Sequence, residues 1–173
     1  MRKNKAIFFD RDGVLNRPIR RKNKPYSPLS LKKFIFLPNV KKTIDILSKK
    51  YLIVVITNQP EVFRGKLSLK TLDKINIKIR KTLKVDDILM CTHDDSRKCK
   101  CRKPKIGMLI KAKKKWNINL EKSYVVGDRW KDIEAGNKAR CKTVFLDRDY
   151  DEQKPINYNY KIKTIYSLIK ILI

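Results

Sequence analysis

The sequence predicts an α/β fold, a three-layer Rossmann-like parallel sheet with helices on both faces. Short apolar, β-branched runs alternate along the chain with longer stretches in which apolar residues recur at helical spacing. Residues 52–56 are apolar throughout, as in parallel strands that are covered on both faces. The connections are long enough for crossovers between parallel strands. With 173 residues, the chain is expected to form a single domain, residues 1–173.

The first half of the chain begins with residues 6–9, an apolar and aromatic run that predicts a buried strand. Residues 17–24 are basic, and a segment with two prolines follows at residues 25–28, so this region is predicted to be an irregular surface loop. Residues 34–37 are either a short edge strand or an apolar approach to a helix over about residues 39–50. The strand at residues 52–56 comes next.

The second half continues the alternation of helices and strands. Ser68 is a plausible cap for an amphipathic helix that reaches Leu83, and Pro104 is predicted to open the next helix, which ends near Trp116. The remaining predicted strands are residues 88–90, 124–126 and 143–146, and the remaining predicted helices are residues 131–138 and 165–172.

The composition is strongly basic. Lys and Arg number 44 against 17 Asp and Glu, a formal charge of +27, which would attract phosphates, nucleic acid or acidic lipid. The alternative is a basic solvated surface without a polyanionic partner, and both interpretations stay open. Because no apolar stretch approaches the ~18 residues of a membrane span and no signal-peptide core follows the charged start, a soluble cytoplasmic protein is expected.

Two carboxylates follow the first predicted strand, Asp10 and Asp12, and Gly13 then allows a turn. Oxygen ligands suit Mg²⁺, and one carboxylate can act as a nucleophile while the other transfers a proton. These residues alone are equally typical of an ordinary Asp-Gly turn. Thr57 and Asp128 also follow predicted strands, and parallel strands place such residues at one edge of the sheet.

Three cysteines and the one histidine of the chain lie close together in sequence. The set consists of Cys91, His93, Cys99 and Cys101. Three thiolates and an imidazole complete the tetrahedral ligand set of a structural Zn²⁺ site, which leaves no position for catalysis. The alternative is free thiols beside a surface histidine. The fourth cysteine, Cys141, is expected to be a small buried side chain.

The order of these signals resembles the haloacid dehalogenase superfamily of aspartyl phosphate phosphatases. The signals are an Asp-x-Asp pair, a strand ending in Thr57, then Lys103, then Gly-Asp-x-x-x-Asp beginning at Gly127. The resemblance implies that Asp10 attacks phosphorus, and that Asp12 protonates the leaving alcohol and later activates water. It also implies that catalytic Mg²⁺ is bound by the Asp10 carboxylate, the Asp12 carbonyl and Asp128.

The cysteine-rich segment narrows the resemblance. CKCRKPKIGML, with DRDGVLN, TNQ and VGDRWKD, resembles the heptose 1,7-bisphosphate phosphatase branch, which also contains histidinol phosphatases. This implies that Thr57 and Lys103 hold the phosphoryl group. It implies substrate contacts by Asn58, Gln59, Arg102, Arg129, Arg20 and Arg21. The chain departs from the branch at Pro60-Glu61, where a small residue and glycine are usual.

The branch implies a Mg²⁺-dependent phosphatase that removes the 7-phosphate of D-glycero-D-manno-heptose 1,7-bisphosphate, on a route to heptose for lipopolysaccharide. The alternatives are a histidinol-phosphate phosphatase, a nucleic-acid 3′-phosphatase and a non-catalytic polyanion-binding module. The segment between Asp10 and Ile56 is too short for a large cap domain, so an open site shaped by a zinc loop (residues 91–101) is expected. The expected partner of this monomer is a small phosphorylated sugar, with nucleic acid as the alternative partner.

Overall fold

The computed structural model describes residues 4–173, which contain eight strands, six α-helices and two short 3₁₀ helices. The strands are β1 (Ala6–Phe9), β2 (Ile19–Arg21), β3 (Lys24–Tyr26), β4 (Leu52–Asn58), β5 (Asp87–Cys91), β6 (Tyr124–Gly127), β7 (Lys142–Leu146) and β8 (Tyr160–Ile162). The helices are α1 (Val40–Leu47), α2 (Pro60–Phe63), α3 (Leu69–Thr82), α4 (Gly107–Trp116), α5 (Trp130–Lys138) and α6 (Leu168–Leu172).

Six strands form the central sheet in the order β5-β4-β1-β6-β7-β8, and every neighbouring pair is parallel. In the middle of this sheet, Ile7 of β1 lies opposite Ile53 of β4 and Tyr124 of β6. The predicted fold class is therefore confirmed. The sheet also contains β8, a strand that the sequence pattern does not predict.

Helices cover both faces of the sheet, because successive side chains of each strand point to opposite sides. Ile7 and Phe9 belong to a buried cluster with apolar residues of α1, α3 and α6. Ala6 and Phe8 belong to a second cluster with α4 and α5. All four β1 side chains are fully buried, which explains why this strand is apolar throughout.

The predicted irregular loop over residues 17–28 is wrong in part, because β2 and β3 form an antiparallel hairpin there. Lys22 and Asn23 both have positive φ values, 47° and 52°, which a two-residue hairpin turn requires. Pro25 is tolerated because a two-stranded ribbon has only edge strands, where a missing N–H need not break a ladder. We call residues 19–26 the basic hairpin.

Other boundaries differ from the predicted ones. Pro104 does not open a helix: α4 begins at Gly107, after a turn in which Lys105 N donates to Arg102 O (2.9 Å). A Cβ atom on Gly107 would collide with the Lys100 carbonyl, so glycine allows the turn to approach the helix. Residues 34–37 form no strand apart from an isolated bridge at Phe36, and residues 60–63 form the unpredicted helix α2.

Between residues 4 and 173, no helix is both long enough and apolar enough to cross a membrane.

Candidate active site

The predicted site residues of three neighbouring strands meet at one edge of the sheet. Asp10 follows β1, Thr57 lies near the end of β4, and Asp128 follows β6. β1 lies between β4 and β6, so Asp10 is at the point where the strand order reverses. Ligands of open parallel sheets usually bind at this point. The Asp10 N–H donates to Val126 O (2.9 Å), which anchors its backbone to β6.

Three carboxylates converge at this edge. Oxygen atoms of Asp10, Asp128 and Asp132 lie within 4.8 Å of one another, and all three residues are buried. Lys103 bridges two of them: its Nζ lies 2.6 Å from Asp10 Oδ1 and 2.6 Å from Asp132 Oδ1. Lys103 Nζ also donates to Ile56 O (2.9 Å). Asp132 was not among the predicted site residues, although the Gly-Asp-x-x-x-Asp spacing already placed it one helical turn after Asp128.

The charges of this cluster shift one another's pKa values. Burial raises the pKa of Asp10 to about 6, because the attraction of Lys103 only partly offsets burial and the repulsion from Asp132 and Asp12. Burial, followed by repulsion from Asp10 and Asp132, raises the pKa of Asp128 well above its usual value. The pKa of Lys103 is raised, since Asp10 and Asp132 outweigh the opposing effect of burial. The site therefore holds excess negative charge that a cation would stabilise.

Asp12 has a different environment, and its carboxylate is outside the three-carboxylate cluster. Arg11 donates to both Asp12 oxygens, from Nε (3.1 Å) and Nη2 (3.0 Å). Further bonds come from Asn16 Nδ2 (3.0 Å), Ser27 Oγ (2.8 Å) and Gln59 Nε2 (2.8 Å). Burial raises the pKa of Asp12, but Arg11 and these hydrogen bonds outweigh it, so the pKa is lowered. The two aspartates of the pair thus differ in proton affinity.

Gly13 allows the chain to pass the cluster. Its φ is +97°, and a Cβ atom there would collide with the Asp128 carboxylate and lie 2.7 Å from the Tyr150 hydroxyl. Only glycine meets both requirements without strain.

The end of β4 supplies uncharged polar groups. Thr57 Oγ1 accepts from Gln59 Nε2 (2.8 Å), which leaves the buried hydroxyl proton of Thr57 available to a ligand. Asn58 holds the backbone of Lys103 in both directions: its Nδ2 donates to Lys103 O (3.1 Å), and its Oδ1 accepts from Lys103 N (3.1 Å). Asn58 therefore positions Lys103 from across the site.

The predicted cysteine and histidine ligands also come together. The Sγ atoms of Cys91 and Cys101 lie 2.8 Å apart, each lies 3.5 Å from Cys99 Sγ, and His93 Nδ1 lies 3.7 and 3.5 Å from Cys91 and Cys101. Burial raises the pKa of the Cys99 thiol, but hydrogen bonds from the Arg102 backbone and the other thiols outweigh it and lower it to about 6. Cys141 is buried elsewhere, as predicted.

A cavity of about 270 Å³ lies next to the site, and cations are prominent in its lining. Two of its arginines are already paired. Arg102 donates to Asp95 from Nε (2.7 Å) and Nη2 (3.3 Å), and Arg129 donates to Glu152 from Nε (2.7 Å) and Nη2 (2.6 Å). Lys131 also lines the cavity, and among residues 4–173 it forms no ion pair, since Asp95 and Glu152 pair with Arg102 and Arg129.

Two predicted substrate residues, Arg20 and Arg21, lie in the part of the basic hairpin that does not line the cavity. Arg20 Nη2 donates to Arg148 O (3.0 Å), and the Arg21 guanidinium lies over the Tyr26 ring, 5.7 Å from its centre. Glu61, the unusual residue after the Thr-Asn-Gln motif, lines the cavity, but its charge is paired with Arg64 (2.8 Å). Its negative charge is therefore largely compensated.

The family described as Polynucleotide kinase 3 phosphatase matches residues 5–163. A D-glycero-alpha-D-manno-heptose-1,7-bisphosphate 7-phosphatase of Campylobacter jejuni is 31% identical over 175 residues, covering 97% of each chain. A D-glycero-beta-D-manno-heptose-1,7-bisphosphate 7-phosphatase of Helicobacter pylori is 33% identical, covering 84% of this chain and 85% of its own.

A solved structure of a protein with the same kind of name is similar to this chain in fold. The D,D-heptose 1,7-bisphosphate phosphatase of B. bronchiseptica, complexed with magnesium and phosphate, superposes with a TM-score of 0.84. It is 27% identical, and the match covers 97% of both chains.

Proposed function

Since the chain belongs to the polynucleotide kinase 3 phosphatase family, in the heptose bisphosphate phosphatase branch of the haloacid dehalogenase superfamily, we propose that it removes the 7-phosphate of D-glycero-D-manno-heptose 1,7-bisphosphate. The observation that carries this proposal is the buried cluster of Asp10, Asp128, Asp132 and Lys103 beside a cavity with cationic walls. The relatives' names include both anomers of this substrate, so both are tested below.

Mg²⁺ fits the cluster. Asp128 Oδ1 is buried and has no hydrogen-bond partner among the described residues, while its neighbours are carboxylates of Asp10 and Asp132. Oxygen donors of this kind suit Mg²⁺. The Asp10 carboxylate, the Asp12 carbonyl and Asp128 would hold the ion, and Asp132 would orient Lys103. When bound, the ion would neutralise charge on the phosphoryl group during transfer.

Asp10 is the proposed nucleophile. One of its carboxylate oxygens forms a bond to phosphorus as the bond from phosphorus to the sugar oxygen breaks, which yields an aspartyl phosphate. Asp12 transfers a proton to the departing sugar oxygen. Asp12 then removes a proton from water, and the water oxygen displaces Asp10 from phosphorus to release inorganic phosphate.

Asp12 can serve in both steps because of its surroundings. Arg11 and the hydrogen bonds around Asp12 lower its pKa, so the free enzyme holds it ionised. A phosphoryl dianion nearby opposes this effect and favours protonation of Asp12 before the first step. Thr57 offers a hydroxyl proton to an equatorial phosphoryl oxygen. The Lys103 ammonium, whose three donors bond to Asp10, Asp132 and Ile56 O, stabilises the phosphoryl charge as a nearby positive charge.

Zn²⁺ fits the second cluster. Its donors are three sulfur atoms and one imidazole nitrogen, the composition of a closed structural site. Arg102 and Lys103 directly follow Cys101, so a bound ion would hold the segment that delivers both cations to the site. We infer that zinc acts structurally here.

The cysteines form no disulfide, which suits a reducing compartment, and we infer that the enzyme is cytoplasmic. We also infer that it works as a monomer, since the residues of its site all come from one chain.

Lys131 is the proposed ligand of the phosphate that is not hydrolysed. It is half-buried in the cavity wall, and burial together with repulsion from Arg102 and Arg129 outweighs the attraction of Asp95 and lowers its pKa. Asp95 and Glu152 already pair with those arginines, whereas Lys131 has no such partner among the described residues and can pair with a second phosphate.

Lys131→Ala is expected to raise the KM for heptose 1,7-bisphosphate about tenfold, because it removes one charge-assisted hydrogen bond to the second phosphate. The KM for heptose 7-phosphate should change less than twofold, because that substrate lacks the second phosphate. Lys138→Ala on the same helix, outside the cavity lining, is the matched control. Steady-state phosphate release measures both constants, and an equal increase for the two substrates would contradict this role.

A 3′-phosphatase for nucleic acid is the second candidate, favoured by the family description and the charge of +27. Four substrates separate the candidates in one assay with Mg²⁺: both anomers of heptose 1,7-bisphosphate, histidinol phosphate and a 3′-phosphorylated oligonucleotide. We expect kcat/KM to be highest for one heptose anomer. A higher value for the oligonucleotide, with the steep salt dependence of phosphate contacts, would replace the proposal with the second candidate.

A further inference from the structure

Tyr150 lies outside every motif of the sequence, yet it contacts the acidic cluster directly. It is 4% exposed, and its hydroxyl donates to Asp128 Oδ2 at 2.7 Å. The other oxygen of this carboxylate, Oδ1, is buried without a hydrogen-bond partner among residues 4–173. The two oxygens of Asp128 are therefore distinguished by Tyr150: one is occupied by a phenol, and the other remains available to a cation.

The phenol is a reliable donor in this position. A protonated phenol can donate to a carboxylate oxygen, and the distance of 2.7 Å is that of a strong hydrogen bond.

The basic hairpin braces Tyr150. The Arg20 guanidinium lies over the Tyr150 ring, 5.1 Å from its centre, and Arg20 Nη2 donates to Arg148 O (3.0 Å). Arg148 Nε in turn donates to Gly13 O (2.9 Å). Gly13 lies next to the Tyr150 hydroxyl, since a Cβ atom on Gly13 would come within 2.7 Å of the hydroxyl oxygen. A side chain held in this way can restrict the rotation of the carboxylate that it contacts.

We propose that Tyr150 is a positioning residue for the metal site: it holds Asp128 Oδ2 so that Oδ1 faces the bound Mg²⁺, and Arg20 supports it from the basic hairpin. This inference rests on the proposed function, because it concerns the magnesium site of that reaction. Groups that hydrogen-bond to metal ligands typically contribute about 10- to 100-fold in metal affinity or activity.

Titration of the Mg²⁺-free protein with MgCl₂ in a calorimeter tests the proposal without any substrate. Tyr150→Phe is expected to weaken Mg²⁺ binding about 10- to 100-fold. The Mg²⁺ concentration for half-maximal phosphate release should rise by a similar factor. The matched control is Tyr51→Phe, which also removes the hydroxyl of a buried tyrosine. That hydroxyl donates to Leu172 O (3.3 Å) and not to a residue of the acidic cluster.

Arg20→Gln is the second variant, in case Tyr150→Phe does not fold. It removes the cation over the ring, and we expect a smaller loss of Mg²⁺ affinity in the same direction. Unchanged Mg²⁺ affinity in a folded Tyr150→Phe protein would overturn the positioning role while leaving the proposed function intact. If the wild-type protein itself does not bind Mg²⁺, the magnesium site of the proposed function fails, and the inference fails with it.

Discussion

Asp10→Asn should abolish phosphate release, with a loss of about 10⁴-fold or more in kcat, the scale seen when a covalent nucleophile is removed. The amide lacks the charge that would attack phosphorus. Single-turnover measurements with heptose 1,7-bisphosphate would detect residual activity. The matched control is Asp86→Asn, which makes the same substitution at a carboxylate outside the cluster. Substantial activity in Asp10→Asn would rule out the covalent mechanism.

The stability of Asp10→Asn separates lost chemistry from lost folding. The pKa of Asp10 is raised from 3.8 to about 6, so the folded state binds the proton more tightly than the unfolded state. The Asp10 contribution to stability is therefore present at low pH and is lost as pH rises through about 6. Without Mg²⁺ at pH values above this range, Asp10→Asn should unfold at equal or higher denaturant concentration than the wild type. A large destabilisation would show that the Lys103 ion pair outweighs the repulsion.

Loss of the zinc site is expected to have the second large effect. Cys99→Ser should reduce bound zinc from one ion per chain towards zero, because structural zinc sites need all four ligands. The thermal midpoint should fall, since zinc binding contributes directly to folding. We expect kcat/KM to fall about 10- to 100-fold as Arg102 and Lys103 lose their support. Atomic emission spectroscopy, thermal denaturation and phosphate release measure the three effects.

Cys141→Ala is the control for the zinc variant, because Cys141 is buried outside the cluster. It should keep its zinc and its activity, whatever small loss of packing it causes. Zinc-free wild-type protein with full activity and an unchanged thermal midpoint would contradict the structural role.

Much of the fold could be predicted from local pattern. The five predicted strands are present because runs such as residues 52–56 must be buried on both faces, and burial dictates apolar sequence. The basic hairpin was missed because its strands are short and partly exposed, so no alternation marks them. Its turn at Lys22-Asn23 was the available signal, because asparagine tolerates positive φ.

The candidate site was predictable where motifs carry it. Asp10, Thr57 and Asp128 lie at one sheet edge because the topology brings the ends of β1, β4 and β6 together. Lys103 reaches Asp10 from the segment between β5 and α4. Asp132 was missed as a partner of Lys103, although its spacing from Asp128 was visible. The carboxylates that pair with the cavity arginines, Asp95 and Glu152, carried no comparable signal.

The sequence by itself determined the strand and helix pattern, the carboxylates at the sheet edge and the clustered cysteines, because each depends on residues near one another in the chain. Only the tertiary structure decided which side chains surround those groups. Tyr150 reaches Asp128 from 22 residues away, and Ser27 reaches Asp12 from 15 residues away. Such contacts depend on how loops pack on the sheet, and packing is a property of the whole chain that local periodicity does not encode.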